Sequence, residues 1–73
     1  KIKKNEVAFL SANTWDVSGG GNYGYDAIWV NRNNNIFDNL DYKPQNEIKN
    51  LSELISIIWV GHLAHIKKIY LDV

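Results

Sequence analysis

The chain reads as an α/β protein built on a parallel sheet with crossover helices, and three observations carry that reading. Val7-Ala8-Phe9-Leu10 and Ala27-Ile28-Trp29-Val30 are continuous apolar runs that stop at polar residues, as strands buried on both faces do. The residues between them permit a short helix. Further on, Leu51, Leu54, Ile55 and Ile58 are spaced for one apolar helix face. The resulting strand, helix, strand, strand, helix rhythm implies parallel pairing.

Each element follows from its residues. Val7–Leu10 is the first strand, and Ser11–Thr14, small and polar, is the loop at its carboxyl end. Trp15–Tyr23 admits a helix. Asp16 suits a helix N-terminus, while Gly19-Gly20-Gly21 weakens the helix by roughly 1 kcal/mol per glycine against alanine. Ala27–Val30 is the second strand, ended by Asn31-Arg32, and Asn33-Asn34-Asn35 is a turn. Phe37 and Leu40 anchor a connection that runs to Pro44. Glu47-Ile48 is a brief third strand. Asn50 or Ser52 caps the next helix. After Ile58 the pattern is ambiguous: Trp59-Val60-Gly61-His62 prolongs the helix, and Ile69-Tyr70-Leu71 suits a strand.

Composition excludes several functions. At 73 residues the chain is one small domain at most, with a thin core. Eight basic residues balance eight acidic ones, so no single-sign field attracts nucleic acid or an anionic membrane. There is no cysteine, hence neither disulfide nor thiolate metal site. That composition fits a reducing compartment, and a cytoplasmic location is expected. The longest nearly apolar segment, Ile55–Ala64, is too short to span a bilayer, and no signal peptide is recognisable. The first residue is Lys rather than Met, which suggests a start inside a longer reading frame. His62 and His65 share a spacing used by metal sites, but no third ligand is near.

The loop "SANTWD", Ser11–Asp16, concentrates the chemistry. In parallel sheets the ligand crevice lies at the carboxyl ends of the strands, and this loop stands at one. Ser11, Asn13 and Asp16 have two readings. They satisfy the free N–H groups of the following helix, or they serve a site at this strand end. Trp29 is expected in the core, Trp15 at a pocket, and Arg32 in a structural ion pair.

Those residues resemble a known family, the type II L-2-haloacid dehalogenases of the haloacid dehalogenase superfamily of hydrolases. The shared pieces occur in order: Ser11, Asn13, Trp15, Asp16, Gly24-Tyr25, Trp29-Val30-Asn31-Arg32, Phe37-Asp38, Leu40, Pro44 and Leu51-Ser52-Glu53-Leu54. They extend from residue 5 to residue 58. The resemblance implies that residues 1–58 are the C-terminal portion of a Rossmann-like core domain, a C-terminal fragment of its parallel sheet, and that 59–73 form a divergent tail. It implies a catalytic role for Ser11 and Asn13, which orient a nucleophilic aspartate, and for Asp16, which positions or activates water. Trp15 would line the substrate pocket. The parent activity would be hydrolytic dehalogenation of a short 2-haloacid through an aspartyl ester.

The family's nucleophilic aspartate, substrate-binding arginine and catalytic lysine lie upstream, and none maps onto this chain. Alone it is expected to be inactive, and to act on a 2-haloacid only with the missing N-terminal part. Lys68–Val73 has the strand-then-aspartate form with which the superfamily's nucleophile motif begins. That form is common by chance and is given no role. No cofactor is expected, because the loop offers only one carboxylate for Mg²⁺. Two alternatives stand beside this reading. One is a non-catalytic, self-associating binding module, suggested by the exposed apolar surface of a half-fold. The other is the remnant of a Mg²⁺-dependent phosphatase of the same superfamily.

Overall fold

A computed structural model describes residues 1–38, 42–44, 46–59, 61 and 63–72 of the chain. A 3₁₀ turn, Lys4–Glu6, leads into β1 (Val7–Ser11). There follow α1 (Thr14–Tyr23), β2 (Asp26–Val30), β3 (Asn46–Ile48), α2 (Ser52–Trp59) and β4 (Lys68–Asp72). The strands form one sheet in the order β3-β2-β1-β4, and all three pairings are parallel. With helical segments over both faces, this is the α/β arrangement expected of a Rossmann-like fragment.

Alternation along the strands divides the core. Ala8 and Leu10 of β1 join Ile28, Val30, Ile48 and Leu63 on one face, with Leu54 and Ile57 of α2 and Ile66 packed on them. Ala27 and Trp29 face the other way and meet Val17 of α1, with Phe37 and Tyr42 alongside. Phe37 packs edge-on to Trp29 at 4.9 Å between ring centroids, as its anchoring role requires. Leu40, the second expected anchor, lies outside the described residues, as does His62.

α1 forms in spite of three consecutive glycines, and packing supplies the reason. A Cβ on Gly20 would stand 2.7 Å from Phe9 Cδ2, and one on Gly21 would overlap the Tyr42 ring. The glycines let the helix backbone seat against these rings, which offsets their poor propensity. Gly24 ends the helix in the left-handed region at φ 119°, with its N–H donating to the carbonyls of Gly20 and Gly21.

α2 begins where expected, with Asn50 Oδ1 accepting from the Glu53 N–H at 3.2 Å. Its buried stripe differs from the expected one. Leu54 and Ile57 meet the core, whereas Leu51, Ile55 and Ile58 are exposed. Apolar residues fill the wide arc left by Ser52, Glu53 and Ser56, so spacing alone left open which stripe within that arc meets the core.

Leu63 and residues 68–72, beyond Ile58, fold onto the sheet. Leu63 is buried in the core, and β4 pairs with β1 along its whole length, from Val7 opposite Lys68 to Ser11 opposite Asp72. Glu6 fastens the start of this pairing. Its carbonyl accepts the Lys67 N–H at 2.7 Å, and its carboxylate meets Lys67 Nζ at 3.2 Å. A backbone N–H from Lys3, followed by the Lys67 ammonium, holds the Glu6 carboxyl below its ordinary range.

Candidate functional site

The carboxyl end of β1 is built by short-range hydrogen bonds that the sequence loop encodes. Ser11 is fully buried, and its Oγ accepts the Asn13 N–H at 3.0 Å. Asn13 is the N-cap of α1: its Oδ1 accepts the N–H groups of Trp15 at 2.9 Å and Asp16 at 3.4 Å. The Trp29 indole N–H donates to the Ala12 carbonyl at 3.3 Å, tying the loop to β2. Thr14 Oγ1 donates to Asp38 Oδ2 at 2.7 Å. Capping therefore employs the Asn13 carbonyl and one lone pair of Ser11. Among the described residues, the Ser11 O–H and the Asn13 NH₂ have no acceptor and can donate to another group.

Asp16 lies in the first turn of α1, close to Asp72 at the end of β4. The Asp16 carboxyl is pushed above its ordinary 3.8, first by a hydrogen bond with Asp72, then by desolvation and by like-charge repulsion from the same residue. Sequence reasoning gave Asp72 no role. The available signal was the strand-then-aspartate pattern, but its neighbour Ser11 sits at the far end of the chain. The fold also corrects the inference that only one carboxylate stands near this loop. Among the described residues, still, no group of three or more His, Cys, Asp or Glu is arranged to hold a metal.

The structure brings together Ser11, Asn13 and Asp16, with Asp72 added. Trp15 is adjacent and 69% exposed. Trp29 is buried, as expected. Arg32 makes no ion pair among the described residues. It lines a hollow of about 100 Å³ with Ala12, Trp29 and Asn31.

Asn31, buried at the end of β2, is a structural latch. Its Nδ2 donates to the Asn35 carbonyl at 2.9 Å and to Glu47 Oε2 at 2.7 Å, and its Oδ1 accepts the Asn35 N–H at 2.9 Å. That bond from Asn31, then one from Lys49, holds the Glu47 carboxyl below its ordinary value. His65 meets Asp26 at 2.9 Å away from the loop.

Comparison with known proteins bears on what this geometry serves. An (S)-2-haloacid dehalogenase of Pseudomonas putida is 43% identical over 51 residues, 70% of this chain and 22% of the relative. The (S)-2-haloacid dehalogenase 2 of Pseudomonas sp. (strain CBS-3) is 36% identical over 58 residues, covering 80% of the chain and 25% of the relative. The chain corresponds to a region of the (S)-2-haloacid dehalogenases. A haloacetate dehalogenase H-2 of Moraxella sp. (strain B) matches as well, at 34% identity over 59 residues, 81% of the chain and 26% of that relative. No family model matches. The chain thus spans about a quarter of the length of the curated relatives it matches. Among the described residues, no helix is long and apolar enough to cross a membrane.

Proposed function

We propose that the chain carries the supporting half of a hydrolytic 2-haloacid dehalogenase site. One observation carries this reading: in a chain related to dehalogenases, Ser11, Asn13 and Asp16 converge at the carboxyl end of a central parallel strand. The parent reaction begins when a carboxylate oxygen attacks C2 of the haloacid. A C–O bond forms, the carbon–halogen bond breaks, and halide leaves with its electron pair. Water then adds to the ester carbonyl while Asp16 in its ionised form takes the water proton; the acyl C–O bond to the substrate breaks, the carboxylate is regenerated, and the departing oxygen takes the proton to leave as a 2-hydroxy acid. The Ser11 O–H and the Asn13 NH₂ hold the nucleophilic carboxylate in line. Trp15 forms one wall of the substrate pocket once the missing part covers it.

In this reading the nucleophile comes from outside the chain. The test is to combine the 73-residue chain with a separately produced N-terminal portion of the Pseudomonas putida relative and to assay halide release from 2-chloropropionate. Turnover is expected from the mixture alone. A well-folded complex that releases no halide refutes the reading.

A second reading is favoured by β4. Asp72 stands opposite Ser11 in the register and raises the Asp16 carboxyl, so this chain places a carboxylate of its own at the strand end next to the loop. Under that reading Asp72 is the attacking group, and the chain alone releases halide. Asp72→Asn would abolish the release. Inactivity of the isolated chain, with activity in the mixture, decides for the first reading.

A further inference from the structure

A small hollow opens at the carboxyl ends of β1 and β2, the end of a parallel sheet at which ligands bind. It has a volume of about 100 Å³ and is lined by Ala12, Trp29, Asn31, Arg32, Asn33 and Asn35. Ala12 stands between Ser11 and Asn13, so the hollow borders the same loop. At about 30 Å³ for each water-sized group, it has room for about three, which is enough for a carboxylate or a halide ion.

The lining carries one sign of charge. Arg32 makes no ion pair among the described residues, and none of the residues around the hollow is acidic. The Glu47 carboxylate, which reaches Asn31, is engaged by Asn31 Nδ2 at 2.7 Å and by Lys49 Nζ at 3.0 Å. A guanidinium stays charged and presents a planar fork of N–H donors that matches a carboxylate. Asn33 and Asn35 add side-chain NH₂ groups to the lining.

The wall of the hollow is fixed before a ligand arrives. Asn31 donates to the Asn35 carbonyl and accepts the Asn35 N–H, both at 2.9 Å. These bonds close the turn through Asn34, whose φ of 54° is left-handed. The Trp29 indole is tied to the Ala12 carbonyl. Walls held this way lower the ordering cost of binding.

We propose that this hollow binds a small monovalent anion, with Arg32 as its principal partner. The anion is the carboxylate of a short aliphatic acid substrate or the halide that the reaction releases. Its link to a reaction rests on the dehalogenase reading, whereas binding itself does not.

Titration of the 73-residue chain tests it, in chloride-free buffer at constant ionic strength, with propionate and bromide as separate probes and amide-detected NMR as the readout. Saturable shifts are expected at the Trp29 indole N–H and at the Ala12, Asn33 and Asn35 amides. Arg32 is exposed, so the dissociation constant should be on the order of 1 mM. Arg32→Ala should weaken binding at least about tenfold. Arg32→Lys keeps the charge but loses the fork, and should retain part of the binding. The probe that saturates at the lower concentration names the source: propionate the carboxylate, bromide the halide. Shifts that only grow linearly with both anions overturn the proposal, and so does saturation that Arg32→Ala leaves unchanged. Halide release from the mixture with the N-terminal portion reads the dehalogenase proposal separately. Turnover without saturable binding sinks this inference and leaves that reading intact, and saturable binding without turnover does the reverse.

Discussion

Replacing Gly19 and Gly20 separately by alanine should affect stability differently, although both glycines lie in the middle of α1. An alanine in a helix interior gains about 0.8–1 kcal/mol over glycine. At Gly19 a new Cβ meets nothing within 4 Å, so Gly19→Ala should keep that gain. At Gly20 the Cβ would lie 2.7 Å from Phe9 Cδ2, 3.2 Å from Cε2 and 3.4 Å from Cγ. The contact reaches the base of the ring as well as its edge, so rotating the ring tip does not relieve it. Overpacking of this kind costs about 1–3 kcal/mol. The propensity gain is common to both variants and cancels in the comparison. Gly20→Ala should therefore be less stable than Gly19→Ala by about 1–3 kcal/mol, and from unchanged to about 2 kcal/mol less stable than the wild type. In a domain of this size each kcal/mol moves Tm by roughly 4–8 °C, so thermal and urea unfolding followed by circular dichroism resolve the difference. Equal stabilisation by the two alanines would refute the seating of α1 on Phe9, and with it the packing explanation for the glycine run.

Further consequences concern the loop and its neighbours. Asn13→Ala removes the cap of α1 and should cost about 1 kcal/mol in urea unfolding, while Asn13→Asp, which keeps an acceptor, should cost much less. Asn31→Ala strips partners from the Asn35 N–H and from Glu47, and should cost about 1–3 kcal/mol in the same assay. Because the Asp16 carboxyl is raised in the fold, the stability it contributes is complete below the unfolded carboxyl's pKa and is lost as pH rises through the folded value. Glu6 and Glu47 are lowered, so theirs is present above the ordinary carboxyl range and is lost as pH falls through the folded values. Carboxyl-detected NMR titration should show the Asp16 midpoint above 3.8 and falling in Asp72→Asn. An Asp16 midpoint that does not move would separate the two carboxyls.

Much of this protein was legible in local sequence. The apolar runs at Val7 and Ala27 mark strands because a strand covered on both faces has no polar side. Ser11 and Asn13 mark a strand-to-helix loop because their side chains satisfy N–H groups within three residues, and the ordered motif through Leu54 identifies the dehalogenase relationship. Tertiary structure decided what depends on residues far apart. The glycine run in α1 reads as a weakness until Phe9 and Tyr42 are set against it. The broad apolar arc of α2 does not say that Leu54 and Ile57 face inward, since only the position of the sheet selects the stripe within it. Asp72 is an ordinary strand-end aspartate in sequence and becomes the neighbour of Asp16 only when β4 pairs with β1. Periodicity and capping act over a turn or two of chain, whereas parallel pairing joins its two ends and leaves no local pattern for the contact it creates.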